Sequence, residues 1–490
     1  MPWFEFIPLN IVIGIILFWI ALGVAGLIAP SNLRYVTHAL LPVGAVAGVV
    51  LAAAAFAAMT QDAAVRVLPL GLPDLPFHLR LDALSAFFLA MLGLASAGVS
   101  VFYSGYLRAG EDNSPGLTCL QFHLFLASMA AIFVADDGYL FMVAWETMAL
   151  SSYFLVTSNH RDAVTRSAGF LYLLIAHVGA IGILLCFGVL QGGGGDYTFA
   201  TMRLVEPASQ AWATVAYLLA LFGFGAKAGL LPLHVWLPEA HPAAPSPVSA
   251  LMSGVMLKTA IYGLLRVTFD LLNAQVWWWG VLTLALGLVT ALFGVLFAAV
   301  QTDMKRLLAY SSIAHAGYAL IGLVPGTPEG ASATMTYAFV YAFMTLGAFG
   351  VVIALGERGE TLDGYRGLDD TAPRTAGVMF LFLLSLTGIP LTAVFTAKFA
   401  VILSAVRAGY IPLALLAVGC SVISAFFYLR VAVLMFMTSS ERAAPARFPQ
   451  TVYAPPESPR VVGTVPLRDA GRSHFLRTHT ALPRCVTLRM

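Results

Sequence analysis

The sequence predicts an all-α protein that crosses a membrane many times, and three observations carry that expectation. Of 490 residues, 60% are hydrophobic and only 10% charged, against roughly 25% charged in an ordinary soluble domain. The mean hydropathy of +0.87 gives more apolar surface than one core can hide, so the excess must face lipid. Apolar runs long enough to cross about 30 Å of hydrocarbon, roughly 20 helical residues, recur thirteen times. They lie near 11–29, 38–60, 83–105, 119–135, 139–157, 168–190, 211–231, 248–270, 277–300, 307–324, 333–355, 376–400 and 410–437. The runs are expected to be helices because lipid offers no partner to a backbone amide, and no period-2 alternation of the kind a membrane barrel needs is visible.

The opening MPWFEFIPLN has no basic stretch, and no small-residue cleavage pattern follows the first run, so that helix is expected to be retained. QGGGGDY (191–197) reads as a flexible outer loop. Proline interrupts two runs, at KAGLLPLHVWLPEAHPAAPSP (227–247) and LTGIPLTAVFTAKF (386–399). Broken helices at membrane depth are tolerated only where the freed backbone lines a cavity or is buried in protein, and in transporters they mark the working site. Residues 441–490 turn rich in proline and arginine and read as a disordered tail.

Basic residues set orientation, since short loops rich in them stay in the cytoplasm. With the N-terminus outside, inward loops hold Arg34, Arg108, Arg161, Arg166, Lys305, Arg306, Arg358, Arg366 and Arg374. Outward loops then hold only Arg66, Arg80, Arg203 and Arg407, and the tail, with its eight arginines, ends in the cytoplasm. The net charge of +2 offers no field for nucleic acid. The four cysteines have no metal-binding spacing, so neither a bound metal nor a disulfide framework is expected. No nucleophile elbow, phosphate loop or dinucleotide fingerprint is present, and GFGAKAG (223–229) has no preceding strand, so no redox cofactor is expected in this chain.

Lysine placement is the sharpest signal. There are four lysines against 22 arginines, and Lys227, Lys258 and Lys398 all fall inside apolar runs. A charge at mid-bilayer costs about 2.5–3.5 kcal/mol on insertion scales. A desolvated ammonium can release its proton where a guanidinium cannot, so a lysine can relay and an arginine cannot. Glu146 is the one carboxylate well inside a run, and Lys227 is its expected counter-ion. Snorkelling to an interface is the plainer alternative for Lys258 and Lys398, and a structural acid for Glu146. Lys305, beside Arg306 at the start of a run, reads as a topology signal. His177, His234 and His315 could relay protons or simply pack. His241 could take up protons or cap a loop. Tyr262, Tyr310, Ser311 and Ser312 could hold water or serve helix packing.

FGAKAGLLPLHVWLPEAHPAAPSPVSALMSGVMLKTAIYGLLR (224–266) together with TDMKRLLAYSSIAHAGY (302–318) resembles the antiporter-like membrane subunits shared by respiratory complex I, membrane-bound hydrogenases and multisubunit sodium/proton antiporters. VAWETMALSSYFLV and the 237–265 stretch look most like the B component of hydrogenase-4 and its formate hydrogenlyase counterpart. LGAFGVV (346–352), LDGYRGL (362–368), LSLTGIPLTAVFTAKF (384–399) and SVISAFFYLRVAVLMF (421–436) resemble subunit N of the proton-pumping NADH:quinone oxidoreductase, the likeness given greater weight.

The resemblance implies fourteen transmembrane helices with two inverted five-helix repeats, each holding one broken helix. Those repeats would fall at 119–270 and 277–437, after N-terminal helices in 1–118. By the same likeness Glu146 is the charge partner, Lys227 the proton acceptor, Lys258 the central relay and Lys398 the exit-side relay. His234 matches a histidine beside the break, and His315 lies where a second-repeat relay group is expected. Quinone, FMN and iron–sulfur clusters would belong to partner subunits of a multisubunit complex in the cell inner membrane. The tail stands where a fourteenth helix is expected, so that helix is either missing or lost to a frameshift just after Ser440. A hydrogenase-linked subunit, a sodium/proton antiporter subunit and a non-conducting scaffold remain the alternatives.

Overall fold

With no water to satisfy a backbone amide, each apolar run closes its hydrogen bonds within itself, and the computed structural model is accordingly a bundle of helices. It describes residues 7–110, 114–205, 209–272, 276–324 and 326–439. The tail 441–490, its expected disorder and the place of a fourteenth helix lie outside the described residues.

The first helices are α1 (Ile7–Gly26) and α2 (Leu33–Ala58), followed by a hairpin of β1 (Ala64–Leu72) and β2 (Leu75–Leu81). Then come α3 (Ala83–Ala109), α4 (Pro115–Val134), α5 (Gly138–Val156) and α6 (Ala163–Leu190). A long interrupted helix follows, α7 (Gln210–Ala228), a 3-10 turn at Leu233–Trp236 and α8 (Leu237–Ala243). The second part of the chain holds α9 (Ser246–Leu271), α10 (Trp277–Ala299), α11 (Met304–Leu323), α12 (Pro328–Leu355), α13 (Pro373–Thr387), α14 (Ala393–Arg407) and α15 (Ile411–Met437).

Eleven helices among the described residues are long and apolar enough to cross a membrane. Two of the thirteen predicted runs fall outside that number. The run at 307–324 is the 20-residue α11, which carries Lys305, Arg306, Ser311, Ser312 and His315. It is buried along nearly its whole length, so it faces protein rather than lipid. The run at 376–400 is two 15-residue helices, α13 and α14. They are separated by 388–392, where Gly388 takes φ +84°, a conformation that glycine adopts without steric cost.

The hairpin departs from all-helical structure, and because its open edges need partners that lipid cannot supply, it belongs in water at one end of the bundle. β1 and β2 pair antiparallel, with Ala64 opposite Leu81. Leu79 bridges to Ala135, and Asp137 to Thr198, at the same end of the bundle. At the opposite end Asp303 bridges to Thr361. Around the flanks Leu17, Phe170, Val422 and Phe426 stand exposed, the apolar girdle a lipid-facing surface requires. Small residues let helices close on one another: a Cβ on Gly223 of α7 would meet the Gly179 carbonyl of α6 at 2.7 Å. Cys119, Cys186 and Cys420 are buried free thiols.

Candidate functional site

α9 lies at the centre, the apolar core of its span completely buried; it carries Lys258, while Lys227 and Lys398 stand at the two breaks. α7 ends at Gly229, whose φ of +76° turns the chain out of the helix. The Trp236 indole donates to the Ala226 carbonyl at 2.9 Å and pins the returning segment to the last turn of α7. Lys227 sits in that last turn, 2% exposed. Its Nζ donates to Tyr172 Oη at 2.7 Å and lies 4.8 Å from the Tyr172 ring centroid. Tyr172 in turn meets Ser152 Oγ at 2.5 Å, so the ammonium faces a hydroxyl pair.

Glu146 is not the immediate partner of Lys227. Its ion-pair contact is His177 Nε2 at 3.5 Å, with side chains 34% and 48% exposed respectively. The cause is helical geometry. Trp145 is buried and faces Lys227, its ring centroid 6.0 Å from Nζ, so the next residue points about 100° around α5, toward the flank.

Lys258 lies in α9 just after a π-helical stretch, Met252–Met256, whose widened turn leaves a carbonyl available to a side chain. Lys258 Nζ donates to the Ser253 carbonyl at 2.5 Å and sits 4.4 Å from the Tyr341 ring centroid. From Ser253 a chain of hydroxyls runs into the second part of the molecule. Ser253 Oγ meets Ser312 Oγ at 2.6 Å, and Ser312 Oγ meets Tyr341 Oη at 2.9 Å. Ser311 Oγ meets Tyr428 Oη at 2.5 Å, and Tyr428 Oη lies 3.4 Å from His315 Nε2. His315 Nδ1 is bonded to Tyr337 Oη at 2.6 Å. A cavity of about 20 Å³ is lined by Lys258, Ser312, His315, Tyr337 and Tyr341, room for one water molecule.

Lys398 lies on α14, just past the second break. It is 4% exposed, so it does not snorkel. Its Nζ donates to the carbonyls of Thr387 at 3.1 Å and Leu386 at 3.4 Å, the freed C-terminal end of α13, and lies 5.0 Å from the Tyr318 ring centroid. A cation at that end also meets the negative pole of the helix. His234 is buried edge-on against Phe293, ring centroids 4.6 Å apart, apart from the Lys258–His315 cluster. The structure thus brings Lys258 and His315 together, places Lys227 and Lys398 at the two breaks, and turns Glu146 and His177 to the flank.

Two charged assemblies went unnoticed in the sequence. At the end opposite the hairpin, Lys305 is 3% exposed rather than a loop charge. It donates to Glu360 Oε1 at 2.8 Å and to the carbonyls of Pro242 and Ala244 at 3.2 Å. Beside it Arg306 Nη2 donates to both carboxylate oxygens of Glu239, at 2.8 and 2.7 Å, while His241 on α8 is fully buried and packs on Phe349. At the hairpin end Arg266 and Arg203 tie Asp82, Asp270 and Asp136 together. The available signals were slight: Arg266 and Asp270 stand four apart on one helix, and Asp82 is an N-cap, accepting from the Ser85 amide at 2.9 Å. Burial pushes the Asp82 carboxyl up, but the hydrogen bond and charge of Arg266, with the Ser85 amide and Arg80, together hold the group well below the usual carboxylate range. Among the described residues no group of three or more histidine, cysteine or acidic side chains is placed to hold a metal ion.

Broken membrane helices with a buried lysine at each break, on either side of a hydroxyl-lined centre, define a class of membrane protein organised around internal charge. The chain belongs to the NADH:quinone oxidoreductase/Mrp antiporter transmembrane family, whose profile matches residues 135–424. It is 43% identical over 247 residues to hydrogenase-4 component B of Escherichia coli K12, covering 50% of this chain and 36% of that protein. It is 39% identical over 393 residues to NADH-quinone oxidoreductase subunit N of Desulfovibrio desulfuricans, covering 75% of this chain and 76% of that protein. The chain spans only about a third of the hydrogenase-4 component's length, and 56% of an uncharacterized Mycobacterium tuberculosis relative. Among solved structures it resembles a chain of respiratory complex I from Thermus thermophilus, with TM-score 0.71, 26% identity, and coverage of 91% and 92%. It also resembles a chain of the Mrp complex from Dietzia, with TM-score 0.78, 25% identity, and coverage of 91% and 82%.

Proposed function

We propose that this chain is a proton-translocating membrane-arm subunit of a complex I-type NADH:quinone oxidoreductase. Protons are taken up at the Lys305–His241 end, pass by way of Lys227 to Lys258, cross the hydroxyl cluster to His315 and leave by way of Lys398. The observation that carries this reading is the Lys258–His315 junction. A buried ammonium, a chain of hydroxyls and a one-water cavity supply groups that can each accept and release a proton, in a span that excludes bulk water. Supporting it is the 39% likeness to an NADH-quinone oxidoreductase subunit N over three quarters of both chains. Glu146 and His177 act as the charge whose movement changes the affinity of Lys227 for its proton, because losing a nearby anion disfavours the ammonium.

In this reading residues 119–270 and 277–437 are the two inverted repeats, 1–118 precede them, and the chain lies in the cell inner membrane with its N-terminus outside. Quinone, FMN and iron–sulfur clusters belong to partner subunits. The half-exposed Glu146–His177 pair supports such partners, since an ion pair at membrane depth is costly against lipid and calls for a polar protein neighbour.

The test is Lys258→Arg in the assembled complex. It keeps the charge but removes the ability to release a proton, so the number of protons pumped per electron falls while quinone reduction continues. Unimpaired pumping would eliminate the relay. A second reading, a subunit of a membrane-bound hydrogenase, is favoured by the 43% likeness to a hydrogenase-4 component over half the chain. A neighbouring gene for a nickel–iron hydrogenase large subunit would select it, and sodium-dependent transport would instead select a cation antiporter. A non-conducting scaffold predicts that Lys227→Met and Lys398→Met change assembly but not pumping per turnover.

A further inference from the structure

α9 carries a second line of polar residues, leading away from Lys258 toward the hairpin end: Tyr262, Arg266 and Asp270, each four residues beyond the last. Positions four apart lie on one sector of a helix, and Lys258 to Arg266 is only about 12 Å along the axis. A proton on Lys258 therefore has a short polar direction open to it that bypasses Lys398 altogether. If that direction conducted, protons would flow back through the first half and the pump would be short-circuited.

The side chains along it are arranged to prevent this. Tyr262 Oη donates to the Phe133 carbonyl at 2.9 Å and accepts from Arg266 Nη2 at 3.1 Å. Its proton is thus committed to a main-chain oxygen that cannot hand one on. Arg266, 4% exposed, holds Asp82 through Nη1 and Nη2 at 2.7 and 2.9 Å, Asp270 at 2.9 Å and Ser85 Oγ at 3.0 Å. Arg203 holds the other side of Asp270 at 2.9 and 3.0 Å and reaches Asp136 at 2.7 Å. Arg80 stands 3.3 Å from Asp82. Positive and negative groups alternate from Arg80 to Asp136, so every carboxylate is already taken by a guanidinium. Arginine does not give up its proton at any working pH, and its fixed positive charge repels an incoming one. Such a cluster costs desolvation that an apolar end cap would avoid.

We propose that the Asp82–Arg266–Asp270–Arg203–Asp136 network is an ionic seal that closes the first half to protons on the hairpin side, so that a proton on Lys258 can leave only through His315 toward Lys398. This rests on the conducting role of Lys258 and adds the directionality that role requires. The opposite end is built differently: there the buried cation is Lys305, a group able to release a proton, paired to the half-exposed Glu360. One end of the first half is closed by buried arginines, whereas at the other the buried cation is a lysine reaching over from α11, and its arginine neighbour, Arg306, is half-exposed with Glu239.

The experiment uses the whole complex in sealed vesicles, with passive proton leak measured under an imposed gradient without turnover, and protons pumped per electron measured with it. Asp82→Asn combined with Arg266→Gln removes one charge of each sign and keeps hydrogen-bonding side chains, so the bundle end stays balanced. Arg266→Lys keeps the charge but supplies a releasable proton, and serves if the double variant fails to assemble on a native gel. The seal predicts a several-fold rise in passive leak and a fall in protons per electron with quinone reduction maintained. It further predicts that adding Lys258→Met abolishes the extra leak. An assembled variant with no added leak overturns the seal, as does a leak that survives Lys258→Met. Failure of the conducting role itself reads out separately, as Lys258→Met alone leaving pumping unchanged.

Discussion

Lys227 and Lys398 sit at the two broken helices yet are held in opposite ways. Lys227 comes before its break and donates to a tyrosine hydroxyl that itself meets a serine. Lys398 comes after its break and donates to two main-chain carbonyls at the C-terminal end of the preceding helix. A hydroxyl can take a proton from one side and give one up on the other, whereas a carbonyl can only receive a hydrogen bond. The first lysine is thus set in an exchange pathway and the second is clasped as a cation, which must be released before it can pass a proton outward. Two halves with the same inventory, a lysine and a break, differ in which partner the break presents.

The largest test of that contrast is Tyr172→Phe, which deletes the hydroxyl to which Lys227 donates and with it the link to Ser152. A hydrogen bond to a charged group contributes about 1.5–3 kcal/mol, so transfer through Lys227 should slow by roughly ten- to a hundredfold. It is read as lower pumping per electron in a complex that still assembles, and unchanged pumping would remove Tyr172 from the pathway. Next is Gly388→Ala. With φ at +84° and a Cβ that would meet Lys398 Cδ at 3.1 Å, it forces strain of about 1–2 kcal/mol on the second break. The melting temperature of the purified complex should fall, and the Lys398 clasp should loosen. Gly229→Ala at the first break has more room, 3.5 Å to Leu237, so it should disturb Lys227 less than Gly388→Ala disturbs Lys398; the reverse order would undo the comparison.

The smallest effect concerns pH at the hairpin end. Asp82 is held below its ordinary value near 3.9, so its ionised form contributes stability that is complete above that value and lost only as pH falls through the lower, folded one. Melting temperatures of the parent and Asp82→Asn proteins should therefore run parallel from about pH 8 to 5 and converge only on further acidification. Convergence near neutrality would mean that Arg266 does not hold the carboxylate.

Much of the scaffold was legible because lipid makes hydropathy decisive. Runs such as 277–300 and 410–437 need no tertiary information to be read as helices, and the prolines and glycines at 229–232 and 388–390 mark the breaks. α11 was legible as a helix but not as an internal one, because its neighbours supply the burial that its own hydropathy does not. Three lysines in apolar runs pointed to the site, but the partner of Glu146 did not follow. A one-residue step on α5 separates facing Lys227 from facing His177, and only packing fixes which residue turns inward. Lys305 looked like a topology signal because a charge at a helix start is usually solvated; the fold instead drew it under the 242–244 turn.

By itself, the sequence determined that the chain spans a membrane as helices, that two of them are broken, and that ionisable amines lie at depth, since each follows from composition and order along the chain. Only the tertiary structure decided which groups those amines meet. Ser253, Ser312, Tyr341 and His315 come from three helices, and Asp82, Arg203 and Arg266 from segments more than a hundred residues apart at the extremes. Hydrogen bonds act over about 3 Å, a distance that no one-dimensional pattern encodes between residues so remote in the chain.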